Sequence, residues 1–220
     1  MIKHLILVMF VLTALQASAR EADSLHSPIK NADKFCVAVQ SVTLAADGVT
    51  RQYENIGQGL KHDKKDNSTW YLLKKKWLAG QQYRLLFKQV PTTGRLYIFS
   101  VDGINTPKIY GVLNMDSMYK AMALTPGMLD TMSLKYTGQE RLCLWYTKSE
   151  LPAYENLIMG IELTHGNFTA RTNLQLGSSL LLPAPYWYFT KKTIGFVALN
   201  SDAAMPGTAV LPVIIEFDIH

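Results

Sequence analysis

Four carboxylates in the middle of the chain, Asp102, Asp116, Asp130 and Glu140, are the residues best placed to do chemistry. Glycoside hydrolysis needs two such groups. One protonates the leaving oxygen, and the other attacks the sugar or activates water. The sequence spacing singles out no pair among the four. The histidines that follow the N-terminal run are His26, His62, His165 and His220. None is paired at a zinc-ligand spacing, and His-Glu-x-x-His is absent. There is no Gly-x-Ser-x-Gly elbow and no glycine-rich phosphate loop ending in Lys-Ser/Thr. Asp63-Lys64-Lys65-Asp66 lacks the oxygen density of a calcium loop. The expectation is a protein without catalytic residues, cofactor or metal.

Two cysteines, Cys36 and Cys143, lie in strand-like runs. Two readings stay open. A disulfide between them would close a long loop and contribute roughly 4–5 kcal/mol in the chain-entropy picture. Alternatively both are small buried core residues with free thiols. A contact site is easier to name. Tyr186, Trp187, Tyr188 and Phe189 follow Pro183 and Pro185. Tyr and Trp offer large area and a polar tip at low entropy cost, which suits interfaces and sugar stacking. The plainer alternative packs these rings over a sheet edge. The cluster Met115, Met118, Met122 and Met128 could be an adaptable contact surface or a soft-metal site, but loose core filling explains it more simply. Asn67-Ser68-Thr69 and Asn167-Phe168-Thr169 match the glycosylation sequon.

The ends of the chain suggest its destination. Lys3 and His4 precede an apolar run, Leu5–Leu15, that is too short to span a membrane. Ala17-Ser18-Ala19 has the small-x-small cleavage pattern. Residues 1–19 therefore read as a signal peptide cut near Ala19, and 20–33 as a flexible leader. No later apolar run is long enough to span a membrane. The expected product is periplasmic or secreted. A formal charge of +5 is mild for 220 residues. Lys61-His62-Asp63-Lys64-Lys65-Asp66 alternates signs and reads as a solvated loop, and Lys74–Lys76 sit where lysines commonly guard a strand edge. Nucleic acid is not an expected partner.

The elements that must position these residues read as strands. Phe35, Val37 and Val39 share one face of a first strand, and Tyr83, Leu85 and Phe87 one face of another. Pro91-Thr92-Thr93-Gly94 reads as a hairpin connection. In Arg95–Val101, apolar residues occupy both faces. Strands follow at Lys108–Leu113, Met132–Tyr136, Arg141–Thr147, Thr193–Leu199 and Val210–Ile219. Between Ala153 and Gly177 the grammar changes to a helical hairpin. Pro152 suits its first turn and Gly166 its first break. The expected fold is mainly β: an antiparallel β-sandwich or partly open barrel over residues 34–220, with a short helical insertion near 153–177.

Several motifs form a set: Leu78-Ala79-Gly80, Gly94–Gly103 with its Tyr-Ile-Phe-Ser-Val-Asp core, Leu124-Thr125-Pro126-Gly127, and Gly138-Gln139-Glu140 before Leu142–Tyr146. Together with the Leu211–Glu216 strand, they resemble bacterial exported proteins of domain of unknown function family 4384. The resemblance spans roughly residues 70–220. Val112-Leu113-Asn114 departs from the Leu-Phe-Pro-like step its members show. It implies a β-rich module of the cell envelope and carries no catalytic residue. The expected role is a non-catalytic component that binds an envelope protein or polysaccharide. The alternatives are an envelope hydrolase using convergent carboxylates and a structural assembly component.

Overall fold

The computed structural model describes residues 33–63, 68–102, 107–122, 127–128, 131–161, 172, 180–181, 187–190, 193–198 and 209–220. The expected signal peptide, almost all of the leader, Asn67 of the first sequon, the whole of the second, Asp130 and Tyr186 lie outside the described residues.

The strands form two sheets of seven. In the first, β12 (Trp187–Thr190), β13 (Thr193–Ala198), β1 (Asp33–Leu44), β5 (Gln82–Gln89) and β8 (Gly127–Met128) lie side by side. To these, β2 (Arg51–Asn55) adds on β1 and β9 (Met132–Ser133) adds on β5. In the second, the order is β3 (Gln58–Asp63), β4 (Ser68–Leu73), β14 (Ala209–Ile219), β10 (Gly138–Thr147), β6 (Arg95–Val101) and β7 (Lys108–Asn114). A short β11 (Leu180–Leu181) pairs in parallel with β14. Nearly all other pairings are antiparallel, with a parallel contact between β14 and β4. The molecule is a mainly β sandwich of two open sheets.

Period-two alternation builds its core. Phe35, Val37 and Val39 of β1 and Tyr83, Leu85 and Phe87 of β5 face inward from the first sheet. They meet Leu142, Leu144 and Tyr146 of β10 and Val213, Ile215 and Phe217 of β14. Tyr83 and Phe217 bring their ring centroids to 4.6 Å across this interface. Such an aromatic pair adds about 0.5–1.5 kcal/mol beyond the area it buries. The other face of the second sheet is covered too. Tyr97, Phe99, Val101, Cys143 and Trp145 pack there against Leu151, Ile158 and Ile161. That explains why β6 is apolar on both faces.

Two expectations about connections change. Pro91–Gly94 is not a hairpin, because β5 and β6 belong to different sheets. It is an arch between the layers, held where the Tyr146 hydroxyl donates to the Thr93 carbonyl at 3.2 Å. Lys61-His62-Asp63 is not loop but the end of edge strand β3. There the Lys61 ammonium lies 3.6 Å from Glu216.

The helices are short. α1 (Met115–Met122) follows β7 and buries Met115 fully in the core, so that methionine is core filling. α2 (Tyr154–Met159) begins later than Pro152 suggested, since Ala153 takes a left-handed φ of 47° just before it. It ends at Gly160 rather than Gly166, with the Gly160 N–H donating back to the Asn156 carbonyl. The rest of the expected hairpin, 162–171 and 173–177, lies outside the described residues apart from Thr172. Among the described residues no helix is long and apolar enough to cross a membrane.

Candidate functional site

A cleft opens at one end of the sandwich, lined by Ser100, Asp102, Lys108, Tyr110, Ser133, Lys135, Tyr136 and Glu140. Its volume is about 180 Å³. Strand alternation places each group. Glu140 is in phase with Leu142, Leu144 and Tyr146, so it points into the space between the sheets where the core gives out. On β6, Ser100 continues the inward face of Leu96 and Ile98, and Asp102 lies one step beyond it.

The pairing of β10 with β6 sets Arg141 opposite Val101 and Leu142 opposite Ser100. The ladder ends there, and Glu140 and Asp102, the residues just beyond its last pair, both line the cleft, close enough for the Asp102 charge to act on Glu140.

Edge strand β7 reaches the cleft through a bulge. Its register against β6 shifts between Ile98 and Phe99. Ile109 and Val112 both face outward although three residues separate them, while Tyr110 and Leu113 both pack on the inner core. The extra residue is accommodated at Gly111, whose φ of 140° suits only glycine. Without the bulge, a strand anchored by Leu113 would turn Tyr110 and Lys108 to the other face. The remaining wall comes from the segment that leaves β9 for β10. It contributes Ser133, Lys135 and a half-exposed Tyr136.

The electrostatics are mixed. Burial pushes the Glu140 carboxyl above its ordinary value. A hydrogen bond from Ser100 and the Lys108 charge act against that rise, and the Asp102 charge adds to it. The Lys108 ammonium lies over the Tyr110 ring, 4.5 Å from its centroid. Beneath them the buried Tyr83 phenol is raised well above its usual value, chiefly by burial and further by Tyr110 and Glu140. The cleft thus combines two carboxyl groups, one of them raised by burial, with two ammonium groups, two serine hydroxyls and two tyrosines.

Of the four carboxylates singled out by type, the fold brings Asp102 and Glu140 together. Asp116 lies exposed on α1, away from the cleft, and Asp130 is outside the described residues. Trp187, Tyr188 and Phe189 form β12, the last strand on its side of the first sheet, and pair with β13. Their backbone is described and their side chains are not. Cys36 and Cys143 are free and buried. They lie in different sheets, out of phase with the inward residues on either side of them. Each thiol therefore points away from the shared core and from the other, and no bridge forms. This decides between the two readings of the cysteines. Sequence reasoning did not find Ser100, Lys108, Tyr110, Ser133, Lys135 or Tyr136. The available signals were the isolated Gly111 inside a strand pattern and the one acid in phase with an apolar face.

A second polar cluster lies on the outer face of the second sheet. Arg141 Nε is 3.2 Å from Glu216, and the Arg141 guanidinium stacks 4.0 Å from the Trp70 ring centroid. Lys61 approaches the other oxygen of Glu216. Both Glu216 oxygens are engaged, so the cluster reads as a structural clasp joining β3, β14 and β10. Among the described residues no group of three or more His, Cys, Asp or Glu is arranged to hold a metal.

No family model, curated protein or solved structure matches this chain.

Proposed function

We propose that this protein is an exported, non-catalytic binding module of the bacterial cell envelope, and that it engages its partner at the sandwich-end cleft. One observation carries the reading: eight side chains able to hydrogen bond, drawn from both sheets, converge on one open concavity. A shallow concavity on a rigid sandwich suits recognition. The signal-like N-terminus and the family resemblance support the location. The aromatic run Tyr186–Phe189 remains a second candidate contact, its last three residues lying on β12. The test is co-sedimentation of the purified protein with isolated envelope fractions. Wild type is expected to sediment, and the double variant Asp102→Asn/Tyr136→Ala to stay in solution. Equal sedimentation of the two, or none by wild type, would overturn the reading.

A second reading, glycan hydrolysis at the same cleft, is favoured by the presence of both Asp102 and Glu140 in its lining and by the raised Glu140 carboxyl. It requires new reducing ends to appear when envelope glycan is incubated with the protein, and to disappear with Glu140→Gln. The binding reading expects no release.

A further inference from the structure

The cleft also constrains what can occupy it. We propose that its ligand is one uncharged sugar ring within a longer glycan, with Tyr136 as the stacking platform and the charged groups as partners for hydroxyls. This rests on the binding reading above and goes on to name the chemistry of the ligand.

Size is the first constraint. At about 180 Å³ the cleft is too small to engulf a whole drug-sized molecule, which takes about 300–1,000 Å³. It accepts one unit of something larger. Charge is the second. Asp102 and Glu140 are acids, and Lys108 and Lys135 are bases. An anionic ligand unit meets two carboxyl groups, and a cationic one meets two ammonium groups. A hydroxyl both donates and accepts, so it finds a partner at either kind of wall. A ring carrying several hydroxyls can satisfy both kinds at once.

The third constraint is the rim. Tyr136 is 52% exposed, a large ring left in water at the mouth of a polar cleft. An apolar face with a hydroxyl tip matches a sugar, which presents C–H groups on its face and hydroxyls on its edge. Tyr110 also lines the cleft, packed on the core and placed by the bulge at Gly111. A peptide strand would need a regular backbone ladder on edge strand β7, and the bulge there interrupts it.

Calorimetric titration tests this with three probe sets: uncharged hexose oligomers of gluco, galacto and manno configuration, uronic-acid oligomers, and amino-sugar oligomers. At least one uncharged set is expected to bind, with both charged sets about ten-fold weaker or more. Tyr136→Ala should weaken binding by about ten-fold while Tyr136→Phe retains it. Tyr136 is exposed, and a circular dichroism spectrum unchanged from wild type verifies each variant's fold. Tighter binding of a charged set, or an unaffected Tyr136→Ala, overturns the proposal. Treating the envelope fraction separates the two levels. Retention destroyed by periodate but not by protease supports a sugar ligand. Retention destroyed by protease alone refutes the sugar and leaves the binding reading standing. No retention on the untreated fraction refutes both.

Discussion

At the residue scale, Glu140 is the group whose environment departs most from its sequence context. The strand residues in phase with it, Leu142, Leu144 and Tyr146, are apolar and face the core, yet it ends in a cleft beside Asp102. A carboxyl raised in the folded state binds more protons there than in the unfolded chain. Its contribution is therefore fully present below the unfolded value, roughly pH 4.3, and is lost as pH rises through the folded value. Glu140→Gln should remove that loss. Thermal melts between pH 4 and 8 are expected to fall less with rising pH in the variant than in wild type. Identical profiles would contradict the assignment. Glu216 is engaged by Arg141 and Lys61. Truncating it takes the carboxylate away from the buried Arg141 guanidinium. Glu216→Ala is expected to lose about 3–5 kcal/mol in urea unfolding, the range for breaking a buried pair. The candidate carboxylates were legible by type, and only the register of β10 on β6 shows which two meet.

At the element scale, the inward and outward faces of β1, β5, β6 and β14 follow from period-two alternation, and the sequence shows them. The connections are harder to read. Pro91–Gly94 has the composition of a hairpin, and the same turn chemistry serves an arch between sheets. Which one forms depends on Gly94, where a Cβ would stand 2.5 Å from the Thr147 carbonyl oxygen and 2.6 Å from the Tyr146 ring. Its φ of 97° adds conformational strain for any other residue. Gly94→Ala is expected to destabilise by about 2–4 kcal/mol in denaturant unfolding. The bulge in β7 escaped the pattern for a related reason. An inserted residue reverses alternation partway along a strand, and periodicity assumes none. Gly111→Ala has open space around it but the same conformational problem, at φ 140°. A loss of about 1–3 kcal/mol is expected, together with weakened sedimentation on envelope fractions, because Tyr110 and Lys108 depend on the bulge. Full stability with full retention would show that the bulge does not position them.

At the scale of the whole molecule, the sandwich accounts for features that the linear chain left open. Two sheets packed face to face leave each cysteine on an outward-turned position of its own layer. Thiol titration in denaturant without reductant should therefore find two free thiols per chain, and a protected pair would contradict the layer assignment. The same layering leaves the mouth between the sheets, rather than either flat face, as the place where polar side chains from β6, β7, β9 and β10 gather. The aromatic run at 186–189 drew attention in the sequence because its residues are adjacent. The cleft did not, because its residues come from four strands and the segments beside them, and become neighbours only through strand pairing and the packing of the two sheets. The most direct measurement is an amide NMR titration with soluble glycan fragments released from the envelope fraction that retains the protein. The expected shifts centre on Ser100–Asp102, Lys108–Tyr110 and Tyr136–Glu140. Shifts centred on Trp187–Thr190 with the cleft unmoved would contradict the account.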